Sequence, residues 1–240
     1  GISYPVYEVQ QSPLVSIIIP SKDNVEILKQ CIRSVYEHTT YPNYEIIVVD
    51  NGSSAQARMA LQNFQEECAF IYLYEPMDFN FSVMCNLGAK KAGGEYLLLL
   101  NDDMEVLADC EDWLDRMVGQ ASLRHVGAVG AKLLYPNSTL IQHAGVTNTI
   151  SGPGHKLKGL DDTQSYYYGR NKLVYDMIGV TAACLLIRTK VYRALGGLYE
   201  GLRVAYNDVD LCFRLCEKGL CNVQRNDVVL YHHESLSRGD

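Results

Sequence analysis

The sequence predicts an α/β fold: a mostly parallel central sheet flanked by helices on both faces. Three observations predict it. Short apolar, β-rich runs alternate with stretches carrying apolar residues at helical spacing, four times over roughly the first 120 residues. The runs are apolar at successive positions, as in strands covered on both faces. Three of them end in polar clusters: Ser21-Lys22-Asp23-Asn24, Asp50-Asn51-Gly52-Ser53 and Asn101-Asp102-Asp103. Ligands of open α/β sheets bind beyond the carboxyl ends of the strands.

Leu14 to Pro20, L-V-S-I-I-I-P, reads as the first strand. Ile27, Leu28, Cys31, Ile32 and Val35 then fall on one helical face. Tyr44 to Val49 is a second strand, and Ala57, Ala60, Leu61 and Phe64 mark a second helix. Ala69 to Tyr74 is a third strand. Ser82 is placed to cap a third helix, with Val83 and Leu87 inward. Glu95 to Leu100 is the fourth strand, followed by a helix through Leu114, Met117, Val118 and Ala121. The alternation then stops. Val126 to Leu134 reads as a strand, Val180 to Ile187 is apolar, and residues 150–176 show no period. Asn207 to Lys218 is helical, with Asn207 as N-cap and Gly219 ending it. Val228 to Tyr231 is a last strand, running into His232-His233.

Composition bounds the function. The 240 residues are 48% hydrophobic, which suits a well-filled core rather than disorder. Lys and Arg total 21 against 28 Asp and Glu, a net charge of −7. That balance offers no basic stripe for nucleic acid. An acidic chain that handles phosphates needs its own carboxylates masked, most simply by a metal. Apolar runs such as Tyr96 to Leu100 are far too short to cross a bilayer. None of the eight cysteines forms a C-x-x-C pair. Cys212, Cys216 and Cys221 lack zinc-knuckle spacing, and a structural role is the simpler reading. A reduced, cytoplasmic protein is expected. Gly1 in place of Met, and the abrupt end at Asp240, fit a piece of something longer.

Each chemical candidate has a plain alternative. Asp50 opens Asp-Asn-Gly, which is turn chemistry, or it aims a carboxylate at a nucleobase N–H. Asp102, Asp103 and Glu105 start a helix, where acids are favourable, or they gather a hard cation such as Mg²⁺ or Mn²⁺. Asp208 and Asp210 lie in a first helical turn, or Asp208 is a general base. His232 and His233 are structural, or one of them is a metal ligand. His155 is equally ambiguous. Tyr166, Tyr167 and Tyr168 pack in a loop, or stack on a sugar.

The order of these segments carries more than any one of them. S-I-I-I-P-S-K-D-N from Ser16, Y-E-I-I-V-V-D-N-G-S-S from Tyr44 and F-N-F-S-V-M-C-N-L-G-A from Phe79 come first. G-E-Y-L-L-L-L-N-D-D-M-E-V from Gly94, V-T-A-A-C-L-L-I-R from Val180, Y-N-D-V-D-L-C-F-R-L from Tyr206 and Y-H-H-E-S-L-S-R-G from Tyr231 follow. In this order they resemble the family 2 glycosyltransferases, and within them the rhamnosyltransferase-like enzymes of bacterial polysaccharide assembly.

The resemblance implies a GT-A type fold in one domain over residues 1–240. A Rossmann-like nucleotide-sugar-binding half spans about 14–125, and an acceptor-binding, catalytic half about 126–240. It implies that Pro20, Lys22 and Asn24 lie along the nucleotide and that Asp50 accepts from the base. Asn80, Ser82 and Asn86 would border nucleotide and ribose. Asn101-Asp102-Asp103 occupies the D-x-D position, with Asp102 near ribose or donor sugar and Asp103 as metal ligand. His232 would complete the Mn²⁺ or Mg²⁺ site. Asp208 would be the inverting enzyme's base, with Ala182, Ala183, Cys184 and Asp210 beside the acceptor. Asn101 and Asn207 depart from the Asp and Glu many members carry, and the first departure leaves the number of protein metal ligands open.

The implied partners are a UDP- or dTDP-linked sugar and a glycan or lipid-linked acceptor. Peripheral attachment at the inner membrane face, through a segment beyond Asp240, is also expected. The alternative is a non-catalytic nucleotide-sugar or glycan-binding module of a larger synthase. A nucleotidyltransferase needs a Gly-rich basic phosphate loop, which Pro20-Ser21-Lys22-Asp23 is not. Nicotinamide binding fails for lack of G-x-G-x-x-G after the first strand.

Overall fold

A computed structural model describes residues 4–9 and 11–233. The expected alternation runs β1 (Val15–Ser21), α1 (Val25–Glu37), β2 (Tyr44–Asp50), α2 (Ala55–Phe64), β3 (Ile71–Tyr74), α3 (Phe81–Lys91) and β4 (Tyr96–Leu100). Then come β5 (Met104–Val106), α4 (Trp113–Ala121), β6 (Val126–Leu134), β7 (Ile141–His143), β8 (Val146–Thr149), β9 (Gly152–His155) and β10 (Val174–Met177). The chain continues through β11 (Cys184–Arg188), α5 (Thr189–Ala194), α6 (Asn207–Glu217) and β12 (Cys221–His232).

The main sheet runs β10-β12-β6-β11-β4-β1-β2-β3, with β5 on β12 and β7 on β6. β3, β2, β1 and β4 are mutually parallel, as are β6 and β12. β11 lies antiparallel between β4 and β6 and joins the two halves into one sheet. Strand residues alternate between two cores. Ile17, Ile19, Val48, Leu98 and Leu100 face α1, α2 and α4. Ile18, Ile47, Val49, Leu97 and Leu99 face α3, α5 and α6. Helices therefore cover both faces, as expected from strands without polar alternation. Among the described residues no helix is long and apolar enough to cross a membrane.

The packing of α3 on β1 turns on one small residue. A Cβ at Gly88 would lie 2.4 Å from Ile18 Cγ2. Gly88→Ala is therefore expected to lower stability by about 1–3 kcal/mol through overpacking. The midpoint of urea unfolding checks this, and an unchanged midpoint would show that α3 shifts freely.

The second half differs from its sequence reading. β12 spans twelve residues rather than the four apolar ones. Its first part is polar yet buried: Asn222, Gln224, Arg225 and Asn226 are covered because each is paired. Arg225 binds Asp227 at 2.6 Å, and Asn222 Nδ2 donates to Cys212 O at 3.0 Å. Residues 150–176 contain β9, which pairs with β8 just before it, and a loop stapled by a buried pair, Lys132 Nζ to Asp162 Oδ2 at 2.7 Å. Tyr166 packs against a small apolar cluster around Ile141, while Tyr167 and Tyr168 are exposed and have left-handed backbones. Asn80, not Ser82, caps α3, accepting from Val83 N–H at 3.1 Å. Tyr206, not Asn207, precedes α6, at φ +62°. Gly219 ends α6 as expected, at φ +75°. Cys212, Cys216 and Cys221 form no cage: Cys212 is buried, and Cys216 is exposed.

Candidate active site

Register brings the polar strand ends together. Ser21 at the end of β1 is level with Asp50 at the end of β2, and Ile18 is level with Leu99 of β4. A cleft of about 880 Å³ opens at this carboxyl edge. Its floor is Pro20, Ser21, Lys22 and Asn24 with Asn101, Asp102 and Asp103. The far side is built by Thr181, Ala182 and Ala183 before β11, and by Tyr206, Asn207 and Asp208 at the start of α6. His155 of the hairpin and His232 of β12 close one end; Phe79 and Phe81 line another part.

Topology explains how residues so distant in sequence meet. The chain turns at Asn101-Asp102-Asp103 from β4 into β5, and β5 pairs antiparallel with the end of β12, His232 opposite Met104. His232 Nε2 comes to 3.1 Å from Asp103 Oδ1 and 3.2 Å from Asn101 Nδ2. Its Nδ1 is 2.6 Å from Gln142 Oε1. Next to it, His233 Nε2 meets Glu105 Oε2 at 2.7 Å, which makes these two a structural clasp outside the cleft lining.

Asp102 is held differently. Its Oδ2 accepts from Ser21 Oγ at 2.7 Å and, weakly, from Asn24 Nδ2 at 3.4 Å. Burial pushes its carboxyl up to about 6; the Ser21 hydroxyl pulls it back, and the adjacent Asp103 carboxylate pushes it further up. Two neighbouring buried carboxylates at a strand end are a place where a divalent cation lowers the electrostatic cost. Asp103 and His232 together fit such a cation, as hard oxygen and imidazole donors in contact. Among the described residues no three His, Cys, Asp or Glu side chains gather around one point. Asp103 and His232 are the pair in contact, with Asn101 beside them at 3.2 Å from the imidazole.

Asp208, at the start of α6, is half-buried in the same cleft. Its Oδ2 accepts from Ala182 N–H at 3.1 Å and its Oδ1 from its neighbour Val209 N–H at 2.8 Å. Two backbone donors orient the carboxylate in the cleft. The left-handed Tyr206 immediately before α6 sets the entry of the chain into this turn.

Not every expected residue reaches the cleft. Asp50 is buried in its own turn, its Oδ1 accepting from Ser53 N–H at 2.7 Å and its Oδ2 from the Tyr72 hydroxyl. Asn86 is consumed structurally: its amide donates to Leu198 O and Glu200 Oε1, and its oxygen accepts from Tyr192 Oη and Leu198 N–H. Ser82 donates to Leu202 O, and Asn80 caps α3 and donates to Glu200 O. These three residues tie α3 to residues 198–202, where sequence distance hid the partner. Cys184 is fully buried under the sheet, and burial pushes its thiol up to about 12. Ala182 and Ala183 do line the cleft. Asp210 turns away from it, to Arg214 at 2.6 Å. Conversely, Ser21 and Thr181, which stand inside the quoted motifs without an assigned role, line the cleft, and Gln142, outside every motif, supports it.

Comparison with known proteins shows the family and the fold. The chain is 40% identical over 240 residues to an uncharacterized protein, y4gI, of Sinorhizobium fredii, covering 98% of this chain and 26% of that protein. It is 39% identical over 240 residues to the O-antigen biosynthesis protein RfbC of Myxococcus xanthus, covering 99% of this chain and 19% of that protein. The chain thus spans about a fifth to a quarter of the length of these relatives. Its fold matches the mannosyltransferase PcManGT from Pyrobaculum calidifontis, solved with GDP-Man and Mn²⁺, at a TM-score of 0.72 and 17% identity, over 98% of this chain and 62% of that one. The architecture is the GT-A fold. The family model of glycosyl transferase family 2 matches residues 16–196, which take in β1, the Asn101–Asp103 turn and the Thr181–Ala183 wall, and the chain belongs to that family.

Proposed function

We propose that this chain is the catalytic domain of an inverting glycosyltransferase. It transfers a sugar from a UDP- or dTDP-linked donor to a hydroxyl of a glycan or lipid-linked acceptor in cell-surface polysaccharide synthesis. The observation that carries the reading is that two groups line one cleft. One is a carboxylate held by two backbone N–H groups, Asp208. The other is the contact of Asp103 with His232, beside Asp102.

Asp208 accepts the proton of the acceptor hydroxyl as that oxygen attacks the anomeric carbon from the face opposite the leaving diphosphate. A base on the face opposite the leaving group gives a single displacement with inversion. Asp103 and His232 hold a divalent cation, which when bound neutralises charge on the departing diphosphate. Lys22 and Asn24 lie on the same floor and contact the nucleotide. The similarity to the O-antigen biosynthesis protein of Myxococcus xanthus supports a polysaccharide product.

Calorimetric titration with UDP, dTDP and GDP, each with Mn²⁺ or with chelator, tests this. The expected result is binding of UDP or dTDP that chelator abolishes. Binding of GDP alone would change the donor class. Failure of all three, in a sample shown to be folded, would overturn the donor site.

A further inference from the structure

The cleft's cation site has a support that no sequence motif marks. Gln142, in β7, is 3% exposed and reaches the last strand residue, His232, from behind. Its Oε1 is 2.6 Å from His232 Nδ1, and its Nε2 donates to the backbone oxygen of the same residue at 3.5 Å. With the oxygen towards the ring, the amide NH₂ faces a carbonyl; the reversed amide would set its oxygen against that carbonyl. An amide oxygen only accepts. The hydrogen between them therefore belongs to His232 Nδ1.

With Nδ1 protonated, the neutral ring carries a lone pair on Nε2. Two neighbours meet it. Asn101 Nδ2 at 3.2 Å can donate to it. Asp103 Oδ1 at 3.1 Å is itself an acceptor, so two lone pairs face each other across hydrogen-bond distance. Paired acceptors at that separation suit a cation placed between them.

We propose that Gln142 is a positioning residue for the cation site: it holds His232 in the Nδ1–H tautomer and keeps the Nε2 lone pair aimed beside Asp103. The inference deepens the proposed function and rests on its cation site. Partners behind a ligating histidine commonly change metal affinity 10–100-fold when removed. A neutral glutamine does this without adding charge to a site that already holds Asp102 and Asp103.

The test reads the tautomer first and without metal. Long-range ¹H–¹⁵N spectra of ¹⁵N-histidine protein should show His232 protonated at Nδ1 in wild type and in Gln142→Glu, whose carboxylate also only accepts. Gln142→Met, similar in volume, should shift the ring towards the Nε2–H form. Mn²⁺ affinity, titrated with the metal alone and read by electron paramagnetic resonance, should fall about 10–100-fold in Gln142→Met and stay within a few-fold in Gln142→Glu. An Nε2–H ring in wild type, with Mn²⁺ bound normally, would overturn the role of Gln142 and leave the cation site standing. The expected tautomers with no Mn²⁺ binding in wild type would overturn the cation site, and this role with it.

Discussion

Asp208→Asn is expected to lower kcat for sugar transfer by about 10²–10⁴-fold while donor affinity stays within a few-fold. The side chain keeps its shape but loses the ability to take a proton. Its carboxylate touches Ala182 N–H and Val209 N–H. The adjacent Ala183 O accepts from Asn101 N–H at 3.0 Å, and an isosteric amide leaves that backbone bond, and with it the donor side, in place. There is one local cost. The amide offers a single oxygen to two backbone donors, so one N–H is left facing an NH₂ group. That costs about 1–3 kcal/mol of stability, which thermal unfolding reports separately from turnover. Release of nucleoside diphosphate in the presence of acceptor measures the loss. Turnover near the wild-type rate would remove Asp208 from the reaction.

Asp103→Ala is expected to act on the cation site and to fail at an earlier step. The carboxylate is 4% exposed and in contact with His232 Nε2. Its removal takes away a protein donor to the cation, so Mn²⁺-dependent donor affinity should fall by at least about 100-fold, with transfer lost in parallel. Chelator added to wild type should reproduce the defect, and chelator added to the variant should add nothing. Chelator-sensitive binding that survives in Asp103→Ala would place the cation elsewhere. Together the two variants separate the two groups: one removes chemistry and spares binding, the other removes both. An equal loss of donor affinity in both would count against the division of labour.

The first half of the fold was legible because its residues report their own environment. Leu14 to Pro20 and Tyr44 to Val49 are apolar at successive positions, and only a strand covered on both faces needs that. The second half was not. Cys221 to Asp227 reads as polar, and it forms a buried strand because Asn222 and Arg225 find partners from Cys212, Asp227 and Pro5. No periodicity encodes such pairings, one of which, to Pro5, spans 220 residues of the chain. Tyr206 similarly took the place before α6 that Asn207 was expected to fill, because a left-handed backbone, and not a capping side chain, starts that helix.

The functional residues divide in the same way. Pro20, Lys22, Asn24, Asn101, Asp102, Asp103, Ala183, Asp208 and His232 line one cleft, as the order of the motifs implied. Asn80, Ser82 and Asn86 lie in an equally recognisable motif, yet they are spent on joining α3 to residues 198–202. A polar residue near a helix start reads alike in sequence whether its partner is a ligand or a backbone carbonyl more than a hundred residues away. Cys184 and Asp210 were drawn to the site by their neighbours, but alternation in β11 and helical rotation in α6 turn their side chains away.

By itself the sequence determined the parallel α/β sheet, the helices on both of its faces, the edge at which the site lies, and the family. These follow from local patterns of apolar and polar residues and from the order of motifs. Only the tertiary structure decided which polar groups face the cleft, that β5 carries Asp103 to His232, and that Gln142 stands behind the imidazole. Those are matters of register, rotation and hydrogen-bond pairing between segments distant in the chain, and side-chain direction is set there by the packed neighbour rather than by the residue's own identity.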